Sequence, residues 1–468
     1  MKIRNVFLFV TLFAPLFCRA EVPGLPEEVS LALAAAGIQE SSLSATVAPL
    51  DGKEGFRLSW RSGEPRQPAS IMKVVTTAAA MDLLGPGKRW KTDFLASGPV
   101  EEGAVRSLHI RAGGAPWMPA DDLRSAVAAL RALGLREIRG DALVDRSVFR
   151  EPPADPAAFD KEPFRPYNQG HEALALGIQS VTLRFLPGRN GEAVVVQDPL
   201  LSGYRVPAAV RLGEGDCPKN LTRALKPEVT AEGIRFTGTY PSSCGSDSWS
   251  FVPWGGRDGY RFYDESVFRA SWKNAGGIWN GRMSEGPVPG NAVLLYSQPS
   301  KPLSGFIRDI NKNSINPIAR NLFLSLSDEK DGATLAGARL RVSGWFRSKG
   351  ISPDGLFIEN GSGLSRTTRA STEQIGAVLA LAGRAAWAPE FISSLPFAGE
   401  DGTMRNRPLE KGSAHVKTGY IRGVRSVAGY VLALSGRWYT VCAIVNDPAA
   451  LGAKPALDAL LEAVAEKG

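Results

Sequence analysis

The sequence is poor in the residues that build metal sites, and it has no long membrane-spanning run. Its 468 residues include only four cysteines and three histidines, and no Cys-x-x-Cys pair occurs. The histidines, His109, His171 and His415, lie far apart in the chain, so the spacing of a zinc site is missing. No apolar stretch reaches the roughly 20 residues that a helix needs to cross a bilayer, which excludes a multi-span membrane protein.

The chain also lacks a strong charge of either sign. It carries 55 Lys and Arg against 47 Asp and Glu, a formal net charge of +8, without a dense basic run. A nucleic-acid-binding role is therefore not indicated. Apolar residues make up 44% of the chain and charged residues 22%, which is the composition of an ordinary globular protein. At about 150 residues per domain, the length predicts a multidomain protein.

The N-terminus has the pattern of a secretory signal peptide. Lys2 and Arg4 precede an uncharged, mostly apolar stretch over residues 6–17, and the small residue Ala20 follows. We therefore predict that residues 1–20 form a signal peptide that is removed on export. Its loss takes away three basic residues and lowers the formal net charge to +5. The mature chain is expected to carry no transmembrane anchor.

The four cysteines differ in their surroundings. Cys18 lies inside the proposed signal peptide, Cys217 and Cys244 lie in polar segments rich in Gly, Pro and Ser, and Cys442 lies in the apolar run 441–445. In the oxidising environment expected for an exported protein, Cys217 and Cys244 are the natural pair for a disulfide. By restricting the unfolded chain, such a bond would contribute about 3 kcal/mol. Cys442 is expected to be a buried core thiol.

Two helices are indicated in the first third of the chain. Residues 74–84 are apolar on nearly every face and are followed by Gly85, a pattern typical of a buried helix. Asp121 and Asp122 are candidates for the N-cap of a second helix, and Gly134 ends it. This helix is indicated by apolar residues at helical spacing, namely Leu123, Val127, Leu130 and Leu133.

Strand patterns dominate the middle of the chain and return near its end. Between about residues 180 and 260, short β-rich runs alternate with Gly and Pro, which predicts a strand-built accessory region. Residues 427–434 and 437–445 flank Ser435 and Gly436, as in an antiparallel hairpin. A final amphipathic helix is indicated by apolar residues at helical spacing, namely Leu457, Leu460, Leu461 and Val464.

The first candidate for chemistry is the sequence Ser70-Ile71-Met72-Lys73. Residues three apart share one face of a helix, so the Ser70 hydroxyl and the Lys73 amine are expected to lie within hydrogen-bond reach. Serine is a weak nucleophile without a base, and burial lowers the pKa of a lysine so that it can act as that base. A single Ser-x-x-Lys arises often by chance, and on its own it reads as an ordinary helix start with Ser70 as the cap.

Two further polar motifs follow much later in the chain. Ser314-Ile315-Asn316 precedes an expected helix, and on its own it reads as a polar turn that caps this helix. Lys417-Thr418-Gly419 stands at the head of a predicted strand. A glycine in a strand lets a ligand backbone approach closely, and the lysine beside it can hold a carboxylate. On its own, this third motif reads as a charged strand edge.

The three motifs, in this order, resemble those of penicillin-binding proteins and serine β-lactamases. Further segments resemble one branch, the D-alanyl-D-alanine carboxypeptidase/endopeptidase family S13, or class C low-molecular-mass penicillin-binding proteins. These segments are residues 68–73, 83–86, 360–366 and 399–404. That family separates its first two motifs by a long insertion, and here 240 residues lie between Lys73 and Ser314.

The resemblance implies a fold and a division of the chain. We expect an α+β, multidomain protein with a penicillin-binding-protein/β-lactamase-like transpeptidase fold, in which an antiparallel sheet is flanked by helices. Residues 23–92 and 288–468 would form a discontinuous catalytic domain. Residues 93–287 would form a large β-rich insertion made of two subdomains.

The resemblance also implies an activity and a location. We expect a periplasmic serine D-Ala-D-Ala carboxypeptidase, DD-endopeptidase or both, acting on peptidoglycan stem peptides. The enzyme would be acylated by penicillin and other β-lactam antibiotics. The implied chemistry needs no metal and no cofactor.

Roles for individual residues follow from the same resemblance. Ser70 would be the acylated nucleophile and Lys73 the base that takes its proton. Ser314 would pass a proton to the leaving amine, and Asn316 would hold Lys73 and the substrate amide. The implied substrate-binding groups are Lys417 and Thr418 for the terminal carboxylate, the backbone N–H groups of Ser70 and Tyr420 for the oxyanion, and Arg366 for a carboxylate of the stem peptide.

The sequence departs from the family pattern at four places. Ile315 stands where Asp is frequent, Asn360 replaces an Asp before Gly-Ser-Gly, and Ala115-Pro116 lacks a common Asp. Tyr420 replaces a Thr or Ser. This last change removes a hydroxyl that would help to bind the substrate carboxylate, although it leaves the backbone donor in place.

Two other interpretations of the motifs stay open. One is another acyl hydrolase on the same fold, such as a β-lactamase or an esterase, which fast turnover of β-lactams would favour. The other is a non-catalytic or weakly active peptidoglycan-binding protein, against which the intact motif residues argue. A Ser-His-Asp triad is not favoured, because His415 is the only histidine near a motif and reads as a strand residue beside Lys417.

Overall fold

The computed structural model describes residues 24–468, and the proposed signal peptide at residues 1–20 lies outside them. None of the helices in the described range combines the length and the apolarity needed to cross a membrane. The helices are α1 (Glu27–Ala35), α2 (Met72–Leu84), α3 (Ala120–Ala132), α4 (Thr222–Leu225), α5 (Gly259–Asn274), α6 (Leu303–Asn313), α7 (Asn316–Leu324), α8 (Leu335–Ser348), α9 (Thr372–Ala382), α10 (Ala388–Ser394) and α11 (Lys454–Lys467).

The strands group into sheets at the two ends of the chain and in its middle. They are β1 (Leu43–Pro49), β2 (Leu58–Trp60), β3 (Lys91–Ala96), β4 (Ala104–Val105), β5 (Leu108–Arg111), β6 (Glu137–Ile138), β7 (Ala142–Asp145), β8 (Val181–Pro187), β9 (Glu192–Asp198), β10 (Ala209–Gly213), β11 (Pro227–Val229), β12 (Ile234–Phe236), β13 (Tyr240–Pro241), β14 (Asp247–Phe251), β15 (Ile278–Trp279), β16 (Met283–Glu285), β17 (Val293–Pro299), β18 (Ser413–Ile421), β19 (Val424–Leu432) and β20 (Trp438–Asn446).

A five-stranded antiparallel sheet joins the two ends of the chain. Its strand order is β18-β19-β20-β1-β2. The N-terminal strand β1 pairs with the C-terminal strand β20, with Leu43 opposite Val445. The strands β19 and β20 form the predicted hairpin around Ser435 and Gly436. The sheet therefore needs both ends of the sequence before it can form.

Helices cover this sheet on both faces, because apolar side chains on its central strands point alternately to the two faces. Along β19, Ala428 and Tyr430 face a core shared with α2 and α9, whereas Val427 and Val431 face a second core shared with α1 and α11. This is the two-residue period of a strand with both faces buried. Cys442 of β20 lies in the first core, where burial raises the pKa of its thiol, so the predicted core thiol is confirmed.

Helix α2 lies in the centre of the first core, as its apolar sequence predicts. Every residue from Met72 to Met81 is buried. Gly85 follows the helix with φ of +81°, a conformation that glycine adopts at little cost. The helix starts two residues before the predicted position, directly after a 3₁₀ turn over Ala69–Ile71. Ser70 therefore lies on the turn that leads into the helix.

The strands between residues 91 and 299 build separate sheets. The two larger ones have the orders β16-β7-β5-β3-β17 and β13-β10-β9-β8-β14. Their buried side chains form a core of their own, which includes Phe94, Phe185 and Trp272. Cys217 and Cys244 are joined by a disulfide in this region, as predicted. The middle of the chain is thus the strand-rich region that its sequence indicates.

The domain boundaries at residues 92/93 and 287/288 stay a prediction. The packing of the residues near them suggests where each boundary lies. Trp90 packs in the core around α2, whereas Phe94 packs in the core of the insertion. Strand β17 pairs with β3 along its length, so residues 293–299 extend a sheet of the insertion beyond residue 287. We therefore favour a second boundary near residue 300.

The start of α3 differs from the expectation. The helix begins at Ala120, and Pro119 occupies the N-cap position. The prediction that Asp121 or Asp122 caps this helix is wrong, since both lie within its first turn. There the two carboxylates still favour the helix, because its N-terminus carries partial positive charge. Gly134 follows the end of the helix as predicted, with φ of +90°.

Candidate active site

The first motif lies where α2 begins. Ala69, just before the serine, has φ of +51°, which is unusual for a residue with a side chain. The turn leaves Ser70 partly accessible, whereas Lys73 is fully buried. Lys73 Nζ lies 3.1 Å from Ser70 Oγ, within hydrogen-bond distance. The structure thus brings the hydroxyl and the amine of this motif together.

Lys73 is held by oxygen atoms from two other segments. Its Nζ donates to Asn316 Oδ1 and to the backbone O of Ser362, each at 2.6 Å. Burial lowers the pKa of Lys73 well below its usual value, and the positive charges of Lys417 and Arg320 lower it further. No carboxylate of residues 24–468 opposes this shift. An amine in this environment is suited to accept the proton of a neighbouring hydroxyl.

The second motif lies in the tight connection between α6 and α7. Ser314 ends α6 in a left-handed conformation with φ of +58°, and Asn316 is the first residue of α7. While its Oδ1 accepts from Lys73, Asn316 donates through Nδ2 to the backbone O of Tyr167 at 3.0 Å. The Asn316 amide therefore joins α2 to a loop of the insertion. Part of its donor capacity is already used before a substrate binds.

The third motif lies in the middle of a strand. We predicted Lys417 at the head of a strand, but β18 begins four residues earlier at Ser413, because it pairs with β19 along nine residues. Lys417 is fully buried, and its Nζ donates to the backbone O of Thr418 at 2.6 Å. Burial lowers the pKa of Lys417 to about 7. The Thr418 hydroxyl donates to the hydroxyl of Thr403 at 2.8 Å.

Gly419 brings β18 against the turn that carries Ser70. A Cβ at position 419 would lie 3.0 Å from the backbone N of Ser70 and 2.2 Å from the Ser426 hydroxyl. Only glycine therefore permits this approach. The next residue, Tyr420, is half exposed, and the Arg425 guanidinium lies 4.5 Å from the centre of its ring. This approach places β18 beside the Ser70 turn, as an oxyanion hole made by the backbone N–H groups of Ser70 and Tyr420 would require. That these two groups bind the oxyanion stays a prediction.

The motifs did not identify one important group, the backbone O of Ser362. Asn360 Oδ1 accepts from the backbone N of Ser362 at 3.1 Å and from its hydroxyl at 2.8 Å. The Thr76 hydroxyl donates to the backbone O of Gly361 at 2.7 Å. A Cβ at Gly363 would lie 1.9 Å from a backbone O of the Ser70 turn. Asn360 can replace Asp here, because the side-chain oxygen that accepts the two hydrogen bonds from Ser362 is present in both residues.

Arg320 is a second group that sequence reasoning missed. It is buried on α7 and donates through one guanidinium nitrogen to the backbone O atoms of Asn168, at 2.9 Å, and of Gln169. Burial lowers the pKa of Arg320 to about 10, although the carboxylate of Glu359 opposes the shift. The only signal in the sequence is that Arg320 is the one charged residue of α7, and that pattern does not reveal a role.

Arg366 lies at the edge of the site. Its guanidinium donates to the backbone O of Arg422 at 2.8 Å and lies 4.9 Å from the centre of the Phe159 ring. It lines a cavity of about 320 Å³. Other charged residues that line this cavity are Asp155, Arg320 and Glu359. The cavity thus presents both signs of charge to a ligand.

Together these groups supply the parts of an acyl-transfer site. A serine hydroxyl lies next to a buried amine, a second buried amine and a threonine lie on the neighbouring strand, and two of the three motifs meet at the Lys73 amine. Such a set can activate a nucleophile and bind a carboxylate.

Comparison with known protein families supports this chemistry. Residues 27–464 match the model of the D-Ala-D-Ala carboxypeptidase 3 (S13) family. A D-alanyl-D-alanine carboxypeptidase of Actinomadura sp. (strain R39) is 29% identical over 454 residues, which is 89% of this chain and 81% of that protein. The chain therefore belongs to the S13 family of D-Ala-D-Ala carboxypeptidases.

Solved structures share the fold. The crystal structure of penicillin-binding protein 4 (dacB) from Haemophilus influenzae matches with a TM-score of 0.69 and 20% identity, over 93% of this chain and 99% of that chain. The same protein in complex with a β-lactam matches with a TM-score of 0.66 over the same shares. The fold is therefore that of penicillin-binding proteins, as the motifs predicted.

Proposed function

We propose that this S13 family protein is a periplasmic serine carboxypeptidase and endopeptidase that cleaves peptidoglycan stem peptides through an acyl-enzyme on Ser70. The observation that carries the proposal is the buried Lys73 amine, which lies 3.1 Å from Ser70 Oγ and has no carboxylate of the described residues beside it to stabilise its charge. Membership of the S13 family supports D-Ala-D-Ala peptides as the substrate class.

Acylation begins with the proton of Ser70. Neutral Lys73 accepts this proton across the 3.1 Å contact, and Ser70 Oγ attacks the carbonyl carbon of the penultimate D-Ala. Negative charge then develops on the carbonyl oxygen, which the backbone N–H groups of Ser70 and Tyr420 stabilise. Donors of this kind are worth about 3 kcal/mol each.

The second half of acylation requires a proton on the leaving amine. Lys73, now protonated, supplies it through the hydroxyl of Ser314, which stands at the end of α6. The C–N bond breaks, terminal D-Ala leaves, and Lys73 is neutral again. Water then attacks the Ser70 ester, with Lys73 as the base, and the hydroxyl of Ser70 is restored.

Lys417 supplies the contact for the terminal carboxylate. Its pKa of about 7 in the free site rises when a carboxylate binds beside it, so binding itself favours the charged amine. The hydroxyl of Thr418 adds a neutral donor. Penicillin carries a carboxylate next to its reactive amide, which supports β-lactams as acylating ligands as well.

The cavity beside Arg366 suits the remainder of the stem peptide. It is next to the loop that holds Lys73, since Asn360 lines it and also bonds Ser362. Arg366 offers a positive charge for a carboxylate, and Asp155 offers a negative charge for an amine. A stem peptide whose side chains carry both groups matches this pair.

Two observations support export to the periplasm. Residues 1–20 have the order of a basic start, an apolar stretch and a small residue, which is typical of a signal peptide. The disulfide between Cys217 and Cys244 is a bond that persists in oxidising compartments.

Labelling with fluorescent penicillin tests the proposal. The wild type should bind the label covalently and gain its mass, whereas Ser70→Ala should show neither change and should not release D-Ala from a D-Ala-D-Ala peptide. Ser70→Ala should stay folded, with a stability loss of less than about 1 kcal/mol, because Ile71 occupies the N-cap position of α2 and no side chain caps this helix.

The exposed Ser41 provides a matched control, since Ser41→Ala should label and cleave like the wild type. Undiminished labelling of Ser70→Ala would show that another residue carries the acyl group. Rapid hydrolysis of the β-lactam without D-Ala release would instead favour a β-lactamase.

A further inference from the structure

A second concave site lies in the insertion, away from the Ser70 group. It is a groove of about 440 Å³ lined by the rings of Phe164, Trp254 and Phe262, with Thr230 and Asp258 among its polar residues. We call it the aromatic groove. Phe164 and Phe262 are 42% and 61% exposed. Large apolar side chains grouped on a surface mark binding sites more often than isolated ones do.

The Trp254 ring of the aromatic groove is held in position by its neighbours. Trp254 Nε1 donates to the backbone O of Ala231 at 3.0 Å, and its ring packs edge-on against Tyr204 with 5.1 Å between centroids. The Phe262 ring follows at 6.3 Å from the Trp254 ring, tilted by 35°. A ligand would therefore meet a Trp254 ring that is already ordered, which reduces the entropy cost of binding.

Glycines make room for these rings. A Cβ at Gly255 would lie 2.8 Å from the Phe164 ring, and a Cβ at Gly259 would lie 1.9 Å from the backbone O of Trp254. A side chain at position 255 would displace the Phe164 ring, and one at position 259 would displace the backbone that carries Trp254. The Pro-Trp-Gly-Gly turn at residues 253–256 thus shapes a groove in which ring faces stay open.

The charge of the aromatic groove restricts its ligand. Asp258 is the only ionisable residue that lines it within the described range, and its exposed carboxylate lies 3.7 Å from Arg261. Anionic ligands such as nucleotides would meet no lining cation. Aromatic faces carry negative charge density and attract the polarised C–H groups of sugar rings, while a carboxylate accepts from hydroxyl and amide groups. These features favour a neutral carbohydrate.

One loop connects the aromatic groove to the reaction centre. Phe164 precedes Tyr167 by three residues, and the backbone O of Tyr167 accepts from Asn316 Nδ2 at 3.0 Å. Three residues span at most about 11 Å. The backbone O of Phe164 accepts from Val252 at 3.0 Å, which fixes this loop to the segment that carries Trp254.

We propose that the aromatic groove binds the glycan strand of the same peptidoglycan whose stem peptide is cleaved at Ser70. The inference rests on the proposed function, because stem peptide and glycan are parts of one polymer. About four stem residues between the scissile bond and the sugar extend over about 14 Å, a length of the same order as the loop from Tyr167 to Phe164.

Direct binding tests the proposal without any catalysis. The ligand is a soluble amino-sugar glycan from which the stem peptides have been removed, and affinity is measured by calorimetry. Phe262→Ala and Phe164→Ala should each weaken binding by about fivefold or more, as expected for the loss of one stacked ring. Phe357→Ala removes a ring with 43% exposure outside the aromatic groove and should bind like the wild type. Equal affinities for all four proteins would overturn the proposal.

Kinetics separate this inference from the proposed function. For a disaccharide-linked pentapeptide, kcat/KM should fall in Phe262→Ala, whereas the sugar-free pentapeptide should be cleaved at the wild-type rate. A wild type that cleaves neither substrate contradicts the proposed function, and the binding measurement still decides the inference. If Phe262→Ala slows cleavage of the sugar-free peptide equally, the aromatic groove contacts the peptide and the glycan proposal is wrong.

Discussion

The active site and the insertion bury positive charge in opposite ways. In the active site, the Lys73 and Arg320 side chains bond to backbone oxygens and an amide, and Lys417 bonds to a backbone oxygen alone. Burial lowers the pKa of all three. The protein thus keeps three basic groups out of water near its nucleophile, and no carboxylate of residues 24–468 contacts any of them.

The insertion surrounds its buried cation with acids. The side chain of Arg146 is 14% exposed and forms ion pairs with three carboxylates, those of Glu172, Asp264 and Glu285. Burial raises the pKa of Asp264 to about 6, although Arg146 opposes this shift. Here the positive charge stabilises the negative charges around it, and their ion pairs hold segments together.

The comparison separates basic groups that serve reactivity, in the active site, from charged groups that serve structure, in the insertion. A buried amine without a counter-ion is destabilising, and its depressed pKa is what a base at neutral pH requires. The Arg146 group instead fixes Glu172, whose backbone N donates to Asn321 on α7 at 2.8 Å. Because α7 also carries Asn316, the paired charges of the insertion support the unpaired charges of the active site.

Arg146→Met should produce the largest change in stability. Removing one partner of a buried ion pair costs about 3 to 5 kcal/mol, because the remaining charges stay buried. Without Arg146 the pKa of Asp264 rises further above 6, so the native state binds a proton that the unfolded chain does not. The loss should therefore be greatest at pH 8, shrink as the pH falls toward 6, and level off below about 6, where Asp264 is protonated in both native proteins.

Urea unfolding at pH 5 and pH 8 measures this effect. Arg235→Met is the matched control, since Arg235 pairs with Glu228 on the surface and its side chain is 74% exposed. That exposed pair should contribute less than about 1 kcal/mol. A loss for Arg146→Met no larger than for the control would remove the structural role that we assign to the buried group.

Lys417→Met should lower the activity of the enzyme and raise the stability of its fold. Loss of the carboxylate contact should raise KM and lower kcat/KM for D-Ala-D-Ala peptides by about 100-fold, equivalent to about 2.7 kcal/mol. Because Lys417 lacks a counter-ion, its replacement by an apolar side chain of similar length should also stabilise the fold at pH 7. The variant would then be the more stable protein and the poorer enzyme.

The stabilisation expected for Lys417→Met should depend on pH. Between pH 7 and the usual lysine pKa of 10.5, the unfolded chain binds a proton that the native protein does not. Wild-type stability therefore rises with pH across this window relative to the variant, and the advantage of Lys417→Met should disappear near pH 10. The exposed Lys53 gives the control Lys53→Met. A stability difference that is constant from pH 7 to pH 10 would contradict the assignment of an uncompensated buried charge.

Local sequence patterns predicted the features that depend on residues close together in the sequence. The helix after Ser70, the hairpin around Ser435 and the pairing of Cys217 with Cys244 all follow from spacing and composition. The backbone O of Ser362 and the guanidinium of Arg320 did not, because each acquires its role from contacts across more than 150 residues. Long-range packing, which no local periodicity records, sets these contacts.

The smallest effect is expected at Tyr420, where the change alters a half-exposed rim group and no buried charge. Tyr420→Thr adds a hydroxyl beside the position of the substrate carboxylate and keeps the backbone N–H. One added hydrogen bond is worth about 0.5 to 1.5 kcal/mol, so release of terminal D-Ala should rise a few-fold relative to cleavage of internal cross-links. Acylation by penicillin should change little.

Tyr420→Phe distinguishes the hydroxyl from the ring. It keeps the ring that lies against Arg425 at 4.5 Å and removes only the phenolic oxygen. If the phenol does not reach the carboxylate, Tyr420→Phe should show the wild-type ratio of carboxypeptidase to endopeptidase activity on purified muropeptides, and only Tyr420→Thr should shift it. The same ratio in all three proteins would mean that Lys417 and Thr418 recognise the carboxylate without help from position 420. Substrate choice would then depend on the cavity beside Arg366, because that cavity is the other place where the site presents charge to the peptide.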